Sequence, residues 1–373
     1  MRVLHVVGAM NRAGTETMLM NIFRNIDRKR VHFDFVSYSS EDAHYDHEIK
    51  RLGGRVIKLS KTNSIKEIYQ VIKKYGPYDA VHAHTLFHCG VAAVAARLAG
   101  VKVRISHAHT TLDDDNGFIR KAYINVMRLM ITFFSTHLLA CSNEAGRYLF
   151  GKKPCIYFPN AIDYSKFLVN PQAKVIKFKM EQGFGKNMVI GHIGRFIEAK
   201  NHKFLLEIME RVIGKDPSIK LLLVGDGDLK RQIEEEAKQK DLLENIRFVG
   251  VRKDITTMLH SMDVFVFPSL YEGLGLVLLE AQASGIPSIV SENIQPEADL
   301  EIGMVTKLSL ADGPAVWADK IIELADMKKL DTAEIIDGFE RSGYSLSKAI
   351  SALKNIYESK PGGAYERDTD YLL

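Results

Sequence analysis

The 373-residue chain has little cysteine, no long apolar run and little net charge. Cys89, Cys141 and Cys155 stand far apart and make no metal-ligand spacing. So sparse and odd a set excludes a disulfide framework and suits a reducing compartment, so the expected location is cytoplasmic. No uncharged apolar run reaches about 18 residues, which excludes an obvious membrane-spanning helix. The stretch 123–140 comes nearest, and Arg128 and His137 interrupt it. A net charge of +4 without long blocks of one sign excludes the electrostatic footprint of a nucleic-acid binder. The opening residues Met1–Gly8 are too short for a signal peptide and read directly as a strand. The dinucleotide fingerprint G-x-G-x-x-G is absent after that strand.

What is present is an α/β rhythm. Hydrophobic content of 46% and charged content of 26% are ordinary for a globular protein, and the length suits two domains. Short β-rich runs are expected as strands at Arg2–Val7, His32–Ser37, Arg55–Leu59, Ala80–His84, Val103–His107, His137–Ala140 and Pro154–Tyr157. Helical patterns lie between them, including Thr15–Arg24, Ile65–Tyr75 and Gly90–Ala99. The pattern restarts at Val189–Ile193, Lys220–Val224, Ile246–Val249, Asp263–Phe267 and Ser288–Val290. This alternation predicts two doubly wound parallel sheets with right-handed crossovers and a cleft between them. The polar, basic stretch 170–187 shows little apolar periodicity and marks the boundary at Asn170-Pro171. The expected domains are therefore 1–170 and 171–344. A last helix, Ser345–Tyr357, can pack on either, and 360–373 read as a disordered tail.

The densest chemistry lies in Pro268 to Glu280. Glu272 follows a buried strand, and Glu280 stands eight residues on, in the helix expected at Leu276–Ala283. Ligands bind at the carboxyl ends of strands in open α/β sheets. Backbone N–H groups at a helix start hold anions there, and carboxylates accept hydrogen bonds from sugar hydroxyls. Alone, the pair also fits the acid and base of a glycoside hydrolase.

Gly191 to His202 follows the first strand of the second half. Arg195 and Lys200 can both point at a phosphate, or both sit solvated on a surface loop. Leu223-Val224-Gly225-Asp226-Gly227-Asp228 is another strand-to-helix turn. Asp228 is expected to cap the helix from about Leu229, and a metal held by Asp226 and Asp228 is the weaker reading. Gly8 to Glu16 forms the corresponding turn of the first half, with Gly14 before a helix that can face a diphosphate. His107 and His109 end another strand, where a histidine can donate to a sugar hydroxyl or move a proton. His82 and His84 end its neighbour. Four histidines at one sheet edge also suggest a metal, but no acidic ligand accompanies them, and satisfied polar residues are the default. The stretch 118–134 mixes basic and large apolar residues, fitting a core-packing helix or one that touches an anionic membrane.

Taken together these segments resemble the retaining glycosyltransferases of family 4, with the GT-B fold, from Met1 to about Tyr357. The resemblance is carried by Ala13-Gly14-Thr15-Glu16, Pro159-Asn160-Ala161-Ile162-Asp163, Gly194-Arg195-Phe196 with Lys200-Asn201, Gly225-Asp226-Gly227, and Glu272 through Glu280. Ala13 stands where the family usually has glycine, and Ala161 likewise. The resemblance implies that Arg195 and Lys200 bind the donor diphosphate, and that Glu280 holds the ribose. Glu272, with the backbone of Gly273, Leu274, Gly275 and Leu276, would hold the donor sugar. Gly14 and Gly225 would line the donor site, and Val251 and Arg252 the base. His109, or His107, would face the reacting sugar, with Glu16 on the acceptor side. A nucleotide-sugar donor, with a UDP-sugar as the expected case, and a lipid-linked or growing saccharide acceptor follow from it. So do exopolysaccharide or capsule synthesis, a peripheral contact with the cytoplasmic membrane face, and no cofactor or metal. A nucleotide-sugar epimerase of similar fold and a non-catalytic nucleotide-sugar binder stand as the alternatives.

Overall fold

A computed structural model describes residues 1–109, 118–272, 274–325, 327 and 330–359. The expected tail 360–373 lies outside them. The chain divides into two compact units: Met1–Ile162 joined by the segment from Gly343, and Asp163–Ser342.

The first unit carries a seven-stranded parallel sheet. Its strands are β1 (Arg2–Val7), β2 (His32–Ser37), β3 (Val56–Lys58), β4 (Ala80–Ala83), β5 (Val103–Ala108), β6 (His137–Ala140) and β7 (Ile156–Tyr157), in the order β3-β2-β1-β4-β5-β6-β7. Its core has two layers, one on each face. One holds Val3, Met20, Phe23, Phe33 and Phe35. The other holds Leu4, Val6, Val36, Val81 and Ile131. Alternate residues of β1 therefore serve opposite layers, as a strand buried on both faces requires. The helix Leu346–Glu358 completes the first layer with Ala349, Leu353, Ile356 and Tyr357. Ile162 and Ser345 form a parallel bridge where the returning chain enters this unit.

The second unit carries six parallel strands: β8 (Val189–Ile193), β9 (Lys220–Val224), β10 (Ile246–Phe248), β11 (Val264–Phe267), β12 (Ser288–Ser291) and β13 (Val305–Leu308). Their order, β10-β9-β8-β11-β12-β13, repeats the winding of the first unit. Every residue of β11 is buried, and Leu205, Leu206, Val212, Leu221, Leu223 and Trp317 fill the core on one face.

Three expectations are corrected here. The stretch 170–187 is not featureless, because Gln172–Glu181 is a helix that buries Val175 and Phe178. Only two of its ten residues are buried, which is too weak a stripe to stand out against the lysines. The chain passes between units at Ile162, eight residues before Asn170. Strand β13 was not anticipated. Its burial is only partial, and Thr306 and Lys307 break the apolar run.

Candidate functional site

In the second unit the strand ends of β8, β9 and β11 bring three loops together. After β8, a short 3-10 turn Glu198–Lys200 ends at Asn201, which is left-handed at φ 54°. The Leu270 N–H donates to the carbonyl of Ala199 at 2.8 Å, tying this turn to the loop after β11. Across that tie the Lys200 ammonium pairs with the Glu272 carboxylate. Both side chains are largely buried, and the ammonium lies 4.8 Å from the centroid of the Phe267 ring. So the two residues assigned to diphosphate and donor sugar hold each other. Arg195 is exposed and makes no ion pair or side-chain hydrogen bond among the described residues.

The turn after β9 shows why glycine stands at 225 and 227. Both have positive φ, at 143° and 158°. A Cβ at Gly225 would overlap the Gly194 carbonyl oxygen, and one at Gly227 would come within 2.6 Å of the Phe196 oxygen. The Phe196 N–H donates to the Asp226 carbonyl at 3.0 Å. The glycines let two backbones touch, so Gly225 fixes the Gly194-Arg195-Phe196 loop. Asp228 does not cap the next helix. That helix is Lys230–Gln239, preceded by Leu229 with no side-chain cap. Asp226 Oδ1 accepts from the Gly227 N–H at 2.9 Å.

Helix Leu276–Ala283 begins from Gly275, left-handed at φ 72° and φ-restricted to glycine in practice, with no side-chain cap. The Leu278 N–H donates to the Gly275 carbonyl at 2.8 Å, and the N–H groups before it have no partner within the helix. Leu274 is buried beside it and Leu276 partly so, while Gly273 lies outside the described residues. Glu280 is the fifth residue of this helix, just over one turn in. Burial pushes its carboxyl up to about 7, and the nearby Lys166 ammonium opposes the shift. Its carboxylate accepts no hydrogen bond among the described residues. Val251 is exposed. Arg252 is engaged locally: its guanidinium makes two bonds to Asp254, at 2.9 and 2.8 Å, and lies over the Phe178 ring.

The remaining predicted residues belong to the first unit. Gly14 opens the helix Gly14–Asn25, where Ala13 provides no side-chain cap. Glu16 is in its first turn, with its carboxyl raised by burial. His107 is fully buried; its Nδ1 lies 3.2 Å from His82 Nε2, and its Nε2 has no partner. His109 has both ring nitrogens engaged. Nε2 is 2.9 Å from His84 Nδ1, and Nδ1 is 3.2 Å from Asn160 Oδ1. Burial lowers His109 to about 3, so it stays neutral near pH 7 and cannot serve as an imidazolium acid. The default of satisfied sheet-edge residues understates these side chains. They form a buried cluster that also takes in His5 of β1, whose Nδ1 lies 3.1 Å from His84 Nε2. Sequence reasoning missed His5, Asn160 and Tyr357 here. The available signal was the polar interruption of the apolar run Val3 to Val7 by His5.

The two units together define a class: Rossmann-like pairs of the GT-B type. Two family models match the chain: Glycosyltransferase Family 4 over residues 12–166, and Glycosyl transferases group 1 over residues 176–337. The chain is 41% identical over 370 residues to EpsF of Bacillus subtilis (strain 168), covering 95% of this chain and 96% of EpsF. It is 29% identical over 370 residues to the capsular polysaccharide biosynthesis glycosyltransferase CapH of Staphylococcus aureus, covering 96% and 99%. It is 28% identical over 330 residues to the Escherichia coli UDP-Gal:alpha-D-GlcNAc-diphosphoundecaprenol alpha-1,3-galactosyltransferase, covering 81% of each. Anabaena HepE, solved in complex with UDP, shares the fold with a TM-score of 0.75 at 18% identity, covering 95% and 99%. The chain belongs to glycosyltransferase family 4 and is a hexosyltransferase-type enzyme.

Proposed function

We propose that this enzyme transfers a hexose, with retention, from a UDP-sugar to a lipid-linked or growing saccharide in exopolysaccharide or capsule assembly. The observation that carries it is the set at one sheet edge of the second unit. There an unpaired Arg195, the Lys200–Glu272 pair, an uncapped helix start and an unpartnered Glu280 share neighbouring loops. The donor and acceptor classes draw on the galactosyltransferase relative, and the pathway on CapH.

A nucleoside diphosphate is already a good leaving group, so the task is to stabilise charge as it develops. Two cations on adjacent loops do that without a metal at the diphosphate, so activity should persist in EDTA. Arg195 provides a planar fork free to take phosphate oxygens. Lys200 must then share or exchange its bond to Glu272, which frees that carboxylate for donor-sugar hydroxyls. Glu280 accepts the ribose hydroxyls, which supply the hydrogen bonds it lacks. Retention would follow from front-face attack, the mode its family resemblance implies.

Calorimetry tests the site. UDP should bind the native enzyme, and Arg195→Ala and Glu280→Ala should each weaken it. Retained affinity in both variants would sink the assignment. Incubation with a nucleotide sugar and no acceptor separates transfer from epimerisation, since only an epimerase forms an isomer.

A peripheral membrane contact has its own support in the first unit. On helix Phe118–Phe134, Val126, Leu129 and Phe133 are exposed on the outer face, while Ile131 is buried. Leu129 and Phe133 line a groove of about 750 Å³ with Arg128, Lys152 and Lys153. Apolar side chains ringed by cations suit an anionic lipid surface. No helix among the described residues is long and apolar enough to cross a membrane. Sedimentation with anionic but not neutral vesicles, lost in Phe133→Asp, is the expected result.

A further inference from the structure

Five imidazoles meet on one face of the first sheet. The register pairs His5 of β1 with His82 of β4 and puts Ile105 of β5 beside His82. With a period of two, His84 and His107 continue on that face, and His109 follows. His5, His82 and His107 are fully buried, whereas His84 and His109 keep partial access to solvent. The His107 and His109 rings are 3.9 Å apart between centroids, and those of His84 and His109 5.1 Å. One ring nitrogen from each of His84, His107 and His109 lies within 4.8 Å of the other two.

The outer nitrogens decide what the inner ones present. His109 Nδ1–H has Asn160 Oδ1 to donate to, at 3.2 Å. Its Nε2 and His84 Nδ1 form a hydrogen bond at 2.9 Å, so one of the two carries a proton in the metal-free chain. With His84 as the Nε2–H tautomer, donating to His5 Nδ1 at 3.1 Å, both facing nitrogens offer lone pairs. His107 Nδ1–H can donate to His82 Nε2 at 3.2 Å, and His82 Nδ1 in turn has the Tyr357 hydroxyl at 2.9 Å. That leaves His107 Nε2, a buried atom with no hydrogen-bond partner. In that tautomer state three lone pairs are available, each on a ring whose other nitrogen is anchored. This is the arrangement of metal-binding histidines, whose second N–H is held by an outer acceptor that fixes tautomer and ring direction.

We propose that His84 Nδ1, His107 Nε2 and His109 Nε2 form a site for one transition-metal dication of the zinc class, with a fourth position open to water. The lack of a carboxylate argues against magnesium, calcium and manganese, which prefer oxygen. It does not argue against zinc, cobalt, nickel or copper, which take neutral imidazoles. His84 Nδ1 and His109 Nε2 are 2.9 Å apart. A tetrahedral ion with bonds of about 2.0–2.1 Å holds its nitrogens about 3.3 Å apart, close to the spacing of this pair. The alternative triad His5, His82 and His84 shares His84, and it would cost His82 one of its bonds, to Tyr357 or to His107.

This inference does not rest on the transferase reading, and its test needs no activity. The chelator-stripped full-length protein is titrated with Co(II). One equivalent should produce the strong visible bands of a four- or five-coordinate ion, bleached by added Zn(II). His107→Ala should weaken binding at least 100-fold. Asn160→Ala, which leaves all three ligands in place, should weaken it by about 10–100-fold. His47→Ala, exposed and outside the cluster, should bind as the native protein does. Zn(II) should raise the unfolding temperature of the native chain but not of His107→Ala. No saturable band at one equivalent in the native protein overturns the site, whatever the variants do. So does Co(II) affinity unchanged in both His107→Ala and Asn160→Ala.

Discussion

The two units share one winding but line their sheet edges with opposite materials. The turn after β1 is open, since a Cβ at Gly8 would meet nothing within 4 Å. The matching turn after β8 is crowded, since a Cβ at Gly194 would lie 2.9 Å from His192 Nε2 and 3.4 Å from Lys200. The first unit fills its edge with neutral imidazoles hydrogen-bonded to one another. The second sets cations and carboxylates there on glycine-tight loops. A common scaffold thus carries an uncharged edge of imidazoles in one unit, with His5 Nε2 and His107 Nε2 left without a hydrogen-bond partner, and a charged edge in the other. On the function proposed above, the second edge is the one that takes the diphosphate.

The sharpest way to break this contrast is at the charged edge. Arg195→Ala and Lys200→Ala should each lower kcat by about 10²–10³, the range for losing one preorganised transition-state donor, measured by product formation from a UDP-sugar. A loss of that size from an equivalent first-unit change such as Tyr357→Phe would dissolve the distinction. Second in size is Gly225→Ala, which should cost roughly 3 kcal/mol through φ strain and backbone overlap, while Gly8→Ala should stay within about 0.5 kcal/mol. Denaturant unfolding reads both. In the first unit Leu353→Ala should cost about 2–4 kcal/mol by emptying a buried position of the returning helix.

A pH series sharpens the electrostatic side. The folded Glu280 carboxyl sits at about 7, above its ordinary 4.5. The folded state therefore binds more protons than the unfolded state between those values, and this group destabilises the fold as pH rises through that window. If Glu280 holds the ribose as proposed, the hydroxyls donate to its ionised form, so UDP affinity should rise as pH climbs from 6 to 8. Glu280→Gln should flatten that rise in calorimetry. Smaller than the core change at Leu353 is Tyr357→Phe, expected to cost about 1 kcal/mol in denaturant unfolding, from a lost hydrogen bond to His82.

Strands such as β8, β9 and β11 were legible because burial on both faces writes continuous apolar runs. The Glu272–Glu280 spacing was legible because a strand, a glycine turn and a helix follow in order. What was hidden had weak periodicity or distant partners. Helix Gln172–Glu181 buries only two residues, and β13 is half exposed. The pairing of Lys200 with Glu272 spans 72 positions, and no local pattern announces it. The histidine cluster draws on three strands, the loop at Asn160 and the last helix. Only the i, i+2 pairs within β4–β5 could be seen in the chain itself.

The returning helix gives the two units different histories on the ribosome. The second unit is one continuous stretch, complete once Ser342 has emerged. The first is made of two separated segments: its layer under β1 lacks Leu353, Ile356 and Tyr357 until the helix Leu346–Glu358 has been synthesised. His82 and Tyr357 are 275 residues apart. Domains generally fold as units in order of emergence, yet here the N-terminal unit must wait for the one behind it. A chain stopped short of residue 346 would leave a finished second unit beside a first unit with an uncovered apolar face, a natural target for chaperones during synthesis.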